Sequence, residues 1–375
     1  MRLKWPTLMD WYLINQLVPM IVFALLLFSI IWLAPDIFFK LTQYFFSGQI
    51  SLPRALEMAA FHLPEVLQQT IPVAVLLGSI FLFQRLSRDY EWVAMLAGGI
   101  SPIRGLMAVL AVGLLFGGIH AIVQENVLPD TAPRLERMYT DLGLKHDADR
   151  NFLFVEKNHH NRLSKFFMIG QVQRTALADF IILYYDETPH EGVRISRILR
   201  SKTGRWLPLS NQWQLLNGIE YVLNNEGVYK DIRRFDEQQL RTNQYAAVLL
   251  DYTRMNPLVL PWGQLQQYIR LLKEGGQLQD VPYFEVRLWQ KQAAPVATVV
   301  FAILGALLGM ESVRAHRLYG LTFGALVIFL YSILVPFTGN FGSLDLAAPW
   351  LVAWIPLFSA TVLTLVLIRF RTRKG

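Results

Sequence analysis

At 375 residues, 53% of them hydrophobic and with mean hydropathy +0.33, the chain is too apolar for an ordinary soluble protein. Its formal charge of +7 does not mark a nucleic-acid binder: residues 130–280 hold 20 Lys/Arg against 18 Asp/Glu, and the surplus lies beside apolar segments. The absence of cysteine excludes disulfides, thiolate catalysis and cysteine metal sites, and leaves the compartment open.

Six apolar segments organise the chain, three before and three after a polar insert, at approximately 12–34, 62–84, 103–128, 289–310, 319–338 and 349–369. Each reaches or nearly reaches the ~20 residues that cross ~30 Å of hydrocarbon. The first lacks a small-residue cleavage pattern and reads as a retained helix. In the second, Pro64 and Pro72 each remove a helix hydrogen bond and predict bends, as does Pro295 early in the fourth. The pairs Gly113/Gly117, Gly305/Gly309 and Gly320/Gly324 put small residues one turn apart, which suits packing within the chain or a subunit or gate contact.

Between the second and third spans, residues 85–101 read as a short amphipathic helix. Trp92, Met95 and Leu96 fall on one face, with Arg88 and Glu91 offering charge-paired docking. Such a helix fits either a groove of a soluble partner or the membrane surface.

The insert, 130–284, is too polar for lipid and reads as mostly strands: 152–156, 165–169, 180–185, 193–198, 213–216, 220–223 and 245–251. Turns are expected at Lys202–Gly204, at Asp186–Glu187 and at Asn224–Gly227. Regular short strands suggest a sandwich or jelly-roll. Trp262–Glu274 has helical apolar spacing at Leu265, Ile269 and Leu272, closed by Gly275–Gly276, and leads back to the membrane.

With a cytoplasmic N-terminus, the two ends and the 2–3 and 4–5 loops carry Arg2, Lys4, Arg85, Arg88, Arg104, Arg314, Arg317, Arg369, Arg371, Arg373 and Lys374. Against these stand Asp10, Asp89, Glu91 and Glu311. This asymmetry puts both termini in the cytoplasm and the insert outside. The expected fold class is therefore six transmembrane α-helices plus an all-β, sandwich- or jellyroll-like domain on the outer, periplasmic side. Residues 1–129 form helices one to three, 130–284 the β-domain and 285–375 helices four to six.

No catalytic constellation is present. The chain has no G-x-x-x-x-G-K-[ST] loop, no G-x-S-x-G and no H-E-x-x-H, and His159–His160 read as an ordinary polar pair pointing to opposite faces of a strand. The middles of the spans are almost free of titratable groups, with His120 and Glu125 late in the third. Energy for transport must come from another polypeptide.

Pro64–Gly78 followed by Glu91–Ser101, then Leu265–Gly276 and Glu285–Pro295, resemble in order the LptF/LptG (YjgP/YjgQ) permeases, over nearly the whole chain. The resemblance implies a permease subunit, not an enzyme, of an ABC transporter that extracts lipopolysaccharide and passes it to a periplasmic jellyroll bridge. It implies a second permease of the same kind, an LptB ATPase dimer that binds the ATP and magnesium, and LptC and LptA as the bridge. By the same resemblance residues 85–101 dock on LptB, with Glu91 at the matching acidic position and Arg88, Asp89, Trp92 and Met95 around it. The ligand's acyl chains and anionic groups call for an apolar wall with cations near the outer interface. Lys40, Arg134, Arg137 and Lys291 are so placed, and each also fits ordinary interfacial snorkelling. Against the permease stands a different reading, a non-transporting membrane scaffold whose β-domain docks envelope proteins.

Overall fold

The computed structural model describes residues 8–33, 37–142, 152–157, 163–172, 177–188, 192–207, 212–224, 227–241, 259–274, 281–310, 319–342 and 347–373. Before the insert come α1 (Leu8–Leu33), α2 (Phe39–Phe46), α3 (Leu52–Arg88), α4 (Glu91–Ala97) and α5 (Pro102–Ile122). A π-helical segment (Val123–Val127) and α6 (Leu128–Asp141) continue α5. Strands β1 (Phe152–Lys157), β2 (Leu163–Val172), β3 (Leu177–Thr188), β4 (Gly192–Leu207), β5 (Gln212–Leu223) and β6 (Tyr229–Arg241) follow. The remaining helices are α7 (Trp262–Glu274), α8 (Val281–Gly309), α9 (Tyr319–Gly342) and α10 (Pro349–Arg373). Two compact units result: Met1–Met138 with Glu285–Gly375, and Tyr139–Phe284.

Six helices are long and apolar enough to cross a membrane: Leu8–Leu33, Leu52–Arg88, Pro102–Tyr139, Val281–Gly309, Tyr319–Phe341 and Pro349–Arg369. The first unit is thus a membrane bundle, and α3 is its centre. In its most apolar stretch 72% of α3 is buried, against 11% for α9, whose side chains mostly face outward. Leu76, Ile80 and Phe83 of α3 meet Leu13, Leu17 and Ile21 of α1, Val109 and Val112 of α5, and Phe301 and Leu304 of α8. α3 begins ten residues before the apolar run does, and continues through Pro64 and Pro72 without interruption.

The paired glycines serve packing within the chain. A Cβ at Gly113 would lie 2.8 Å from that of Ala302, and one at Gly117 3.0 Å from the Pro295 carbonyl oxygen, so α5 rests on the backbone of α8. Gly305 and Gly309 bring α8 onto the Leu76 and Ile80 carbonyls of α3, and Gly324 brings α9 against Ile80. Without a hydrophobic force between helices in lipid, such close approach is a main source of association.

In the second unit the described strands form one antiparallel sheet in sequential order, β1 to β6. Phe167, Phe180, Ile182, Leu199, Trp213 and Leu215 are among its buried side chains. The rings of Phe167, Phe180 and Trp213 run across the strands at 6.4 and 5.5 Å between centroids. Strand β4 is far longer than predicted: it runs through Lys202–Gly204, expected as a turn, with Thr203 and Gly204 paired to β3 and β5, and Gly204 leaves room for Phe180 and Leu215. Asp186 and Glu187 likewise pair within the sheet, opposite Arg194 and Val193. The two short strands expected at 213–216 and 220–223 are one, since Asn217 takes φ 54° and the chain resumes pairing at Gly218. The Asn224 turn is present, with its side-chain Oδ1 accepting from Val228 N at 2.9 Å and Gly227 at φ +77°. In β6, Arg233 donates to Asp231 at 2.7 Å and holds that carboxyl below its ordinary pKa. The strand expected at 245–251 and the pair His159–His160 lie outside the described residues.

Candidate functional site

The predicted helix of 85–101 is two pieces. Arg85 and Arg88 belong to the last turn of α3. Tyr90 at φ 60° turns the chain, and Glu91–Ala97 form the separate short helix α4. A positive φ is costly for a tyrosine and persists only where surrounding contacts fix it. Gly98 and Gly99, the latter at φ +84°, close α4, and Pro102 starts α5. The helix is therefore a short strap between the ends of two spans.

Trp92 anchors the strap. It is only 6% exposed, packs edge-on to Phe83 with 5.3 Å between centroids, and lies over Gly105, where a Cβ would sit 2.7 Å from its Cη2. Met95 is partly buried beside it. Val93 and Leu96 stay 45% and 37% exposed, so the outward apolar surface is carried by Val93 and Leu96, not by Trp92. Sequence reasoning grouped Leu96 with the inward side chains and passed over Val93; a seven-residue helix offers too few positions for periodicity to separate its faces.

Charges frame the strap. Arg85 reaches Asp89 (Nε to Oδ2, 3.6 Å) and Glu91 (Nη2 to Oε1, 3.6 Å), and Arg88 donates to Asp89 at 3.4 Å. The Tyr12 hydroxyl of α1 donates to Glu91 Oε2 at 2.6 Å. Deeper, Arg104 of α5 donates to the fully buried Asp10 of α1 at 2.9 Å. Beside these contacts an open apolar groove of about 560 Å³ is lined by Leu8, Met9, Trp11, Tyr12, Met95 and Ile100, among others. Neither Tyr12 nor Arg85 stood among the predicted site residues, and no local signal joins Tyr12 to Glu91, 79 residues apart.

The four predicted ligand cations have distinct surroundings. Lys40 is exposed on α2. Arg134 pairs with Asp130 one turn away at 2.9 Å, both more than half exposed, and Arg137 is exposed on the next turn. Lys291 is 8% exposed, with its Nζ 3.6 Å from Glu125 Oε1. It belongs to a buried polar seam between the third span and α8. Gln124 donates to the Lys291 carbonyl at 2.8 Å and accepts from Gln68 at 3.3 Å, while His120 Nδ1 lies 3.0 Å from the Thr298 hydroxyl. The π-helical turn at Val123–Val127 carries both Gln124 and Glu125, in keeping with the tendency of such turns to mark special sites. Among the described residues, no group of three or more His, Asp or Glu is arranged to hold a metal ion.

These features meet known proteins at the level of the whole chain. Over 274 residues the chain is 24% identical to the lipopolysaccharide export system permease protein LptG of Haemophilus influenzae (strain ATCC 51907 / DSM 11121 / KW20 / Rd), covering 72% of each protein. The family model for the lipopolysaccharide export system permease LptF/LptG matches residues 11–370, from the first span through the sixth. A match of that extent takes in the bundle, the strap and the β-unit together, and the chain belongs to the LptF/LptG permease family.

Proposed function

We propose that the chain is the permease subunit of an ABC transporter that withdraws lipopolysaccharide from the inner membrane and hands it to a periplasmic jellyroll bridge. A separate ATPase, binding ATP and magnesium, supplies the work. The family match across all six spans and the β-unit carries this reading. The cation-rich loops support cytoplasmic termini and a periplasmic second unit. Its partners are then an LptB-like ATPase dimer, a second permease and LptC- and LptA-like proteins.

In this reading α4 is the coupling helix. Trp92 and Met95 fix it to the bundle, and Val93, Leu96 and the Arg88–Asp89–Glu91 charges meet the ATPase. Arg134, Arg137 and Lys40 are cations an anionic headgroup can reach, with Lys291 available only once the seam to Glu125 opens. The aromatic row Phe167–Phe180–Trp213 is buried, and becomes the apolar wall that acyl chains require only once it is uncovered.

Co-purification tests the reading. The wild-type chain is expected to bring down an ATPase, and Glu91→Lys to release it with loss of transport-linked ATP turnover. Retention of both by the variant would remove the coupling assignment, and a wild-type chain that brings down no ATPase would favour the scaffold.

A further inference from the structure

We propose that Tyr12 is a latch residue, whose hydroxyl ties the first span to the strap through Glu91 so that the two move as one body. This rests on the coupling reading of α4 given above.

Two polar contacts that α1 makes with its neighbours at this end differ in kind. Asp10 is fully buried and held by Arg104, which fixes the foot of α1 on α5. A buried pair of this sort is a permanent joint, since parting it strands a charge away from water. Tyr12 lies two residues further along α1; it and Glu91 remain partly exposed, yet their bond is short, at 2.6 Å, and goes to a charged acceptor. Glu91 uses its two oxygens separately: Oε2 accepts from Tyr12, and Oε1 faces Arg85 at 3.6 Å. A cation on a docking partner competes with the looser Arg85 contact and leaves the Tyr12 bond in place. The same carboxylate can therefore hold a partner on one oxygen and α1 on the other. Trp92, seated on Phe83 and Gly105, already ties the strap to α3 and α5. Tyr12 is the polar contact that adds α1, across the open groove that α1 and the strap line together.

Two substitutions separate the latch from docking. Tyr12→Phe keeps the ring and removes the donor. Glu91→Gln keeps an oxygen that accepts from Tyr12 but removes the charge a partner cation would meet. Because the chain has no cysteine, Asn15→Cys and Ala97→Cys can carry a spin-label pair across α1 and α4 in the assembled complex. In liposomes containing lipopolysaccharide, Tyr12→Phe is expected to retain the ATPase, to broaden the label distance, and to lower lipid released per ATP hydrolysed at least ~5-fold. Glu91→Gln is expected to keep the narrow distance while losing ATPase. The latch is overturned if Tyr12→Phe leaves either the distance or the lipid-to-ATP ratio as in wild type, or if it loses the ATPase. If the wild-type chain retains no ATPase, the coupling reading fails first and takes the latch with it.

Discussion

Asp10 is a costly residue at the strap end of the bundle, because its fully buried carboxylate has lost its hydration and depends on Arg104, at 2.9 Å, as its paired charge. Arg104→Ala is expected to destabilise the protein by about 3–5 kcal/mol, seen as a lowered unfolding midpoint in detergent. Removing both charges, with Asp10→Leu and Arg104→Met together, is expected to recover most of that loss. A double variant as unstable as the single one would assign the cost to packing. Arg134 and Arg137 stand at the opposite extreme, exposed and worth little to folding. Reversing both to Glu is expected to lower photocrosslinking to lipopolysaccharide while leaving assembly intact, and unchanged crosslinking would remove them from the binding surface. Residue types were legible in the sequence at these positions; partners were not. Lys291 and Glu125 both stood out as charges near a span end, but only the fold shows them facing one another, 166 positions apart in the chain.

At the scale of elements, the spans were legible because crossing lipid demands a length of apolar residues that little else imitates. Their ends were not: Leu52–Phe61 is interrupted by Arg54 and Glu57, which end the apolar run, and is helical nonetheless. In the β-unit, charge hid β6, where no strand was expected, since its Lys230, Asp231, Arg233 and Arg234 suit a solvent-facing edge strand and lack the apolar alternation of a half-buried one. The gap between the strands expected at 213–216 and 220–223 falls on Asn217–Gly218, a dipeptide that favours turns, whereas here Asn217 interrupts the pairing of a single strand. Glycines on spans divide by what they face. Gly305→Ala drives a methyl into the Leu76 carbonyl and to 2.9 Å from Ser79 Cβ, and is expected to cost about 1–3 kcal/mol by parting α8 from α3. Gly118→Ala meets nothing within 4 Å and is expected to be neutral or stabilising. Paired thermal melts in detergent check the contrast; equal losses would deny that these helices touch through backbone.

For the whole molecule, the division into bundle and β-unit follows from segregation of apolar and balanced-charge stretches along the chain. The sidedness proposed for them is open to direct test. A single cysteine at exposed Lys202 in the β-unit is expected to react with an impermeant maleimide in intact spheroplasts, and one at Gly98 only after lysis. The reverse pattern would turn the molecule over and end the transport reading. One consequence follows from the 37 residues of α3. At 1.5 Å per residue the helix is ~55 Å long, well beyond the ~30 Å of hydrocarbon it crosses. It behaves as a beam with the strap bolted to one tip, and rocking by ~5° about that tip sweeps the far tip through ~5 Å, a displacement comparable to one helical pitch.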